Sequence, residues 1–346
     1  MKAGLVGYSQ SGKTTLFNAL TGLQAQTGGG RRSRANLGTI PVPDQRVRHL
    51  ASIYKPRKTT FAEICFVDVP GPDARGAGLD ATTLQALKEV DALLLVLRGY
   101  ARDDGGAPDP VRQLTDFEAD LLLSDLEIVE RRLERLRKEH AAVIEATVLE
   151  RCQQALDAEK PLRVLEFAPE ELRVLTTFSF LTMRPVLAVL NVSEADVGAS
   201  VPAPLGEACE RRGIECLPVC AELEAEIARL AEDEREEFLA SLGVGEAAVS
   251  RVIRSAYALL KYESFFTVGE DEVRAWTIRH GDRAPRAAGR IHSDIERGFI
   301  RAEVMAYDEF LKTGSEAAMR QAGKLRIEGK NYEVRDGDII NFRFNV

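Results

Sequence analysis

The sequence of 346 residues is poor in aromatics, at 6%, and holds one tryptophan and four histidines. His49, His140 and His280 lack metal-ligand spacing, and no Ser/His/Asp arrangement suggests a hydrolytic triad. The five cysteines (Cys65, Cys152, Cys209, Cys216, Cys220) are odd in number and scattered. Cys216 and Cys220 lack the paired spacing of a zinc site, so reduced, buried thiols are expected. No apolar run approaches the roughly 20 residues that span a bilayer. The opening "KAGLVGYS" is strand-like and carries no export signal, so no membrane association and a cytoplasmic location are expected. Positive charge is also short: 46 Lys and Arg face 54 Asp and Glu, for a net charge of -8. That excludes a wholly basic nucleic-acid coat and leaves room for a local basic face.

What is present is a phosphate-binding signature. "GLVGYSQSGKTTLFNALTG" contains Gly7-x-x-x-x-Gly12-Lys13-Thr14, preceded by apolar Ala3 to Val6 and followed by a helix-like run. Gly7 and Gly12 permit backbone conformations that side chains obstruct. The intervening Ser9, Gln10 and Ser11, with Thr15 behind, complete a loop whose N–H groups face a phosphate at a helix N-terminus. Lys13 is placed to reach β- and γ-phosphates, and Thr14 to put its hydroxyl on Mg²⁺.

A second element lies in "FAEICFVDVPGPDARGAG": an apolar strand ends in Asp68-x-x-Gly71. Alone this pattern is weak, but some fifty residues after a P-loop it is specific. Asp68 is expected to hold Mg²⁺ through water, and the Gly71 N–H to sense the γ-phosphate. Catalysis is therefore assigned to Lys13, Asp68 and Gly71. The next residue, Pro72, has no group that can orient a water, so slow intrinsic hydrolysis is expected.

The base contacts are expected after two later strands. "RPVLAVLNVSEAD" offers Asn191 and Glu194, and "LPVCAELEAEI" offers Cys220, Ala221 and Glu222. Guanine sites commonly read Asn-Lys-x-Asp, whereas this chain has Val192 and Glu194 in the second and fourth places. The longer Glu194 displaces the carboxylate that would pair with guanine, and Asn191 carries groups complementary to adenine. ATP or GTP, leaning to ATP, is the expected nucleotide. Strands alternating with helices predict a doubly wound, mostly parallel α/β sheet with its ligand at the strands' C-terminal ends.

Together these residues resemble the YchF or Obg-like ATPase family of translation-factor-class P-loop NTPases. The resemblance extends to "IPVPDQRVRHLASIYKP", to "DLLLSDLEIVERRLERL", and most closely to "SFFTVGEDEVRAWTIRHGDRAPRAAGRIHSDIERGFIRAEV" through "GKNYEVRDGDIINFRFNV". It implies a nucleotide domain in two parts (residues 1–114 and 182–260), a helical coiled-coil arm (115–181) and a C-terminal TGS domain of β-grasp fold (261–346). It also implies contact with ribosome or RNA through the arm and the TGS domain. The Asn-x-x-Glu pattern is the one this family resembles. Departures are Ser9, Gln10 and Thr14 in place of the usual Pro, Asn and Ser, a poor switch I match around Arg32 and Ser33, and a short switch II.

The charges divide unevenly. The arm holds 9 Lys and Arg against 15 Asp and Glu, so only its "RRLERLRK" cluster, Arg131 to Lys138, suits phosphates. Leu122, Leu126, Val129, Leu133 and Leu136 recur at helical spacing and predict a pair of long antiparallel helices. Between Arg274 and Arg301 there are seven arginines and three acids, interleaved with Trp276, His292 and Phe299. Arginines among aromatics suit RNA, although Trp276 and Phe299 fit a small-domain core better. Three functional readings stay open: an NTP hydrolase acting as a switch, with K⁺ a candidate helper beside Mg²⁺; a nucleotide-sensing RNA- or ribosome-binding module with negligible hydrolysis; and an RNA-binding or stress-response regulator acting mainly through the C-terminal domain.

Overall fold

The computed structural model describes residues 2–25, 35–71, 79–101, 106–139, 143–241 and 243–345. The chain forms two compact units, one of residues 1–40 and 65–256 and one of residues 41–64 and 257–346.

The first unit is built on a sheet of β1 (Lys2–Val6), β2 (Asn36–Pro41), β4 (Glu63–Asp68), β5 (Ala92–Arg98), β6 (Val186–Asn191) and β7 (Glu215–Val219), in the order β2-β4-β1-β5-β6-β7. The pairings of β4, β1, β5, β6 and β7 are all parallel. Strands covered on both faces read as continuous apolar runs. Accordingly all six residues of β6 are buried, and so are the first six of β5. From β1 the chain moves to β4 on one side and then to β5 on the other. The C-terminal ends of these strands therefore flank a crevice where connections diverge.

The arm starts earlier than its leucine pattern suggests. One helix spans Pro110–Glu139 and a second, shorter one Val143–Asp157. Val129, Leu133 and Leu136 bury against Val148, Leu149 and Cys152. Leu122 and Leu126 pack at the margin of the same cluster. The second helix ends in a turn with Glu159 at a positive φ of 55°, and the chain returns past Pro161 through short helical turns at Leu162–Val164 and Pro169–Leu175.

The second unit is a mixed sheet of β3 (Lys58–Thr60), β8 (Tyr262–Thr267), β9 (Glu272–Arg279), β10 (Phe299–Ala306), β11 (Arg326–Glu328) and β12 (Asp338–Phe344), in the order β11-β10-β12-β8-β9-β3. β8 and β12 pair in parallel between antiparallel neighbours, a β-grasp arrangement. The helix Ala284–Ile291 lies on one face, where Ala284, Ala287 and Ala288 let it approach Phe265, Phe299 and Phe342 closely.

Residues 41–64 depart from the linear reading, which placed them with the nucleotide domain. β3 pairs in parallel with β9, Lys58 opposite Glu272 and Thr60 opposite Arg274. The helix Gln45–Tyr54 joins the same unit: Arg46 pairs with Asp336 at 2.6 Å, and Tyr54 stacks on Phe310 with ring centroids 6.0 Å apart. β3 has three residues and no apolar alternation, so no periodic signal could assign it to a sheet.

Candidate nucleotide site

The loop from Gly7 to Gly12 joins β1 to the helix Lys13–Thr21. Its glycines are required by close approach. A Cβ on Gly7 would meet the Val96 carbonyl oxygen at 2.5 Å, and one on Gly12, where φ is +82°, would collide with the Asn191 amide. Gln10 also takes a positive φ, of 63°, and its carbonyl accepts a hydrogen bond from the Tyr100 hydroxyl at 2.8 Å. Ser9 and Gln10 are exposed at the loop's crest. Ser11 is not: its hydroxyl is buried without a hydrogen-bond partner, so only its backbone lines the loop. Thr15 is half-buried in the first helical turn. Tyr8, which no motif singled out, packs inward, and burial together with Asp120 and Asp116 pushes its hydroxyl pKa well up.

Asp68 closes β4 opposite Leu5 of β1 and is buried. Lys13 Nζ donates to Asp68 Oδ1 and to the Val69 carbonyl, each at 2.5 Å. The Thr14 hydroxyl donates to Asp68 Oδ2 at 3.2 Å, and Asn36 Nδ2 reaches the same oxygen at 3.3 Å. The strand register thus brings together the three side chains expected at the phosphates and adds Asn36, which lies in no recognised motif. Gly71 sits against the loop, since a Cβ there would come 2.5 Å from the Gly7 carbonyl oxygen. Pro72 and the switch I positions Arg32 and Ser33 lie outside the described residues.

At the ends of β6 and β7 the two segments expected to contact the base also meet. Asn191 Nδ2 donates to the Ser11 carbonyl at 2.9 Å, and Asn191 Oδ1 accepts from Ala221 N–H at 3.0 Å. Each end of the amide thus makes one bond to protein backbone, and Asn191 braces the phosphate loop to the segment Cys220–Glu222. Glu194 is exposed in a turn, close enough to Cys220 that its charge adds to burial in raising that thiol's pKa. Ala221 and Glu222 open the helix Ala221–Ile227.

The expected partner-contact residues are more neutralised than their count suggests. Arg286 and Arg290 share Asp282 at 3.1 and 3.7 Å, Arg297 pairs with Asp294, and Arg274 lies 3.9 Å over the Trp276 ring. Phe299 is buried in the core and Trp276 packs against it. His280 sits in a turn and His292 caps the helix Ser293–Arg297. In the arm, Arg131 pairs with Glu127 and Arg132 with Glu145.

A glycine-shaped loop entering a helix, with a buried aspartate from the next parallel strand beside its lysine, defines a nucleotide-binding protein of the P-loop class. Residues 2–131 match the family model MMR_HSR1, 50S ribosome-binding GTPase, and residues 262–345 match YchF-GTPase_C, a protein of unknown function (DUF933). The chain is 39% identical to the Bacillus subtilis ribosome-binding ATPase YchF over the full length of both. It is 40% identical to the Pasteurella multocida protein of the same name, covering 100% of this chain and 99% of that one. The structure of the Schizosaccharomyces pombe YchF GTPase superposes with a TM-score of 0.88 at 30% identity, covering 99% of this chain and 97% of that one. The chain belongs to the YchF family. Among the described residues, no helix is long and apolar enough to cross a membrane.

Proposed function

We propose that the protein is a magnesium-dependent nucleoside triphosphatase, leaning to ATP, whose nucleotide state alters its contacts with the ribosome. The convergence of Lys13, Thr14 and Asp68 beside the phosphate loop carries this reading. Relatives named ribosome-binding ATPases support both the reaction and the partner, while the S. pombe protein is named a GTPase. The base therefore has to be argued from residues 191–194 and 220–222.

The loop's N–H groups and Lys13 hold the β- and γ-phosphates. The Thr14 hydroxyl and Asp68 carboxylate are hard oxygen donors of the kind Mg²⁺ takes, with Asp68 acting through water. Mg²⁺ held by these oxygens would supply positive charge against the negative charge that grows as the terminal phosphate is cleaved. The Gly71 N–H donates to the γ-phosphate and relaxes when that phosphate leaves. K⁺ is a further candidate beside the phosphates, because Pro72 offers no group to steer the water. The arm and the C-terminal β-grasp domain, with residues 41–64 added to its edge, are the proposed ribosome- or RNA-contacting parts.

Pro72 favours one second reading, a nucleotide-sensing module with negligible hydrolysis. Phosphate release from ATP and GTP in Mg²⁺, with and without ribosomes, separates the two. Release above background supports the hydrolase; tight binding with no release in either condition supports the sensor.

A further inference from the structure

Cys220, the first residue of the base-pocket wall Cys220–Glu222, borders a cavity on the side away from Asn191. The cavity, of about 120 Å³, is lined in part by Val192, Cys220, Leu223, Glu224, Ala248 and Arg251. Cys220 and Ala221 are buried, but on the cavity side Cys220 lacks close-packed neighbours, so hydrogen bonds help to set its position. Asn191 supplies one from the front, by accepting from Ala221 N–H.

Glu224 supplies the others. Its backbone N–H donates to the Cys220 carbonyl at 3.0 Å, the first-turn bond of the helix Ala221–Ile227, so its position is fixed relative to Cys220. Its buried carboxylate accepts from Ala248 N–H at 2.7 Å through one oxygen and from Val249 N–H at 3.3 Å through the other. These are the first two residues of the helix Ala248–Leu259, whose leading amides have no partner within their own helix. Burial pushes the Glu224 carboxyl pKa up, against the two amides and Arg251. This acid is therefore retained at a cost, at a point where it ties the base loop to a second helix.

We propose that Glu224 is a positioning residue for the nucleobase: it anchors the Cys220–Glu222 wall to the helix Ala248–Leu259 across the cavity. The inference rests on reading residues 191–194 and 220–222 as the base pocket. Glu224 touches neither base nor phosphate and acts only through Cys220 and its neighbours.

The test compares a ligand with a base to one without. Inorganic tripolyphosphate uses the phosphate loop alone, whereas ATP uses both loops. Glu224→Gln preserves volume but offers one acceptor oxygen, leaving an N–H facing an amine. In full-length protein, this variant should bind ATP about tenfold more weakly and tripolyphosphate within about twofold of the parent. Ala248→Pro is the second variant. It deletes the N–H that Glu224 accepts, at a first-turn position that tolerates proline, and should give the same split. Equal weakening of both ligands would mean a general folding role and overturn the proposal. So would unchanged ATP binding in Glu224→Gln, provided Glu194→Ala alters the ATP-to-GTP ratio. If neither variant alters any base-dependent binding, the base-pocket reading itself fails.

Discussion

Lys13 Nζ lies 2.5 Å from Asp68 Oδ1, with only 12% of the lysine side chain and 2% of the aspartate side chain exposed. On the proposed function the same two groups are needed elsewhere when nucleotide binds: Lys13 on the phosphates, Asp68 on the water shell of Mg²⁺. Nucleotide and metal therefore compete with an existing ion pair. Removing one partner of a buried pair strands the other at a cost of about 3–5 kcal/mol, so the exchange is favourable only when both incoming charges arrive together. This gives a physical reason for metal and nucleotide to bind cooperatively.

Asp68→Asn should uncouple them. Lys13 is then freed from its partner, so ATP affinity without Mg²⁺ should hold or rise. The gain in affinity on adding Mg²⁺ should shrink by about tenfold, or ~1.4 kcal/mol, and hydrolysis should fall further still. Calorimetric titration with and without Mg²⁺ reads both. A parent-sized Mg²⁺ effect in the variant would count against a metal role for Asp68.

The phosphate half of this site was legible in the sequence because its motif is itself a geometry. Gly12 is needed for a positive φ, and Gly7 because Val96 lies where its side chain would be. Asp68 was legible because parallel register aligns its strand end with that of β1. Long-range pairings left no local trace. Asn36 meets Asp68 only because of where β2 lies, and β3 crosses to the other unit on three polar residues. Asn191 was found, but its brace to Ser11 spans 180 positions and has no local signal. The arginines were counted correctly, but their neutralisation by Asp282 and Asp294 appears only in the fold.

Base preference is open to a direct exchange of side chains. Val192 gives no aliphatic stem to cover the base, and Glu194 is exposed at the turn rather than fixed by packing. Combining Val192→Lys with Glu194→Asp restores the stem and shortens the carboxylate for two hydrogen bonds to guanine. The double variant should shift the GTP-to-ATP affinity ratio toward GTP by about tenfold or more, because a polar contact matched to one base and unmatched to the other discriminates strongly. Competition between labelled ATP and unlabelled GTP measures the ratio. A ratio that stays put would place the base elsewhere.

The arginine face calls for a gentler substitution than charge reversal. Glutamate at Arg286 or Arg290 would sit against Asp282 and disturb the fold for reasons unrelated to binding. Arg283→Gln combined with Arg290→Gln removes two charges and keeps the Arg286–Asp282 pair. If this face meets ribosomal RNA, binding should weaken and the salt dependence should become shallower by about one unit of slope per lost phosphate contact. Co-sedimentation over a range of salt concentrations tests it. Weaker binding with an unchanged slope would point to a protein surface on the ribosome.

The arm offers a pH test with a defined sign. Arg132 holds Glu145 through two hydrogen bonds at 2.7 and 3.0 Å, joining the two long helices of the arm. Those bonds, opposed by burial, lower the Glu145 pKa from its ordinary 4.5. A carboxyl with a depressed folded-state pKa contributes fully above its unfolded value and loses that contribution as pH falls through the folded one. The pair should therefore support the arm above about pH 4.5 and progressively less below it. Its partial exposure limits the effect to about 1 kcal/mol or less. Hydrogen exchange of the helix Val143–Asp157 should be up to about fivefold faster in Glu145→Gln than in the parent at pH 6. That ratio should fall toward one as the pH drops below about 4.5 and through the parent's own lowered folded-state pKa. Comparing the two proteins at each pH cancels the intrinsic pH dependence of exchange. A ratio that stays constant across the range would show that Arg132 and Glu145 do not stabilise the arm as a charged pair.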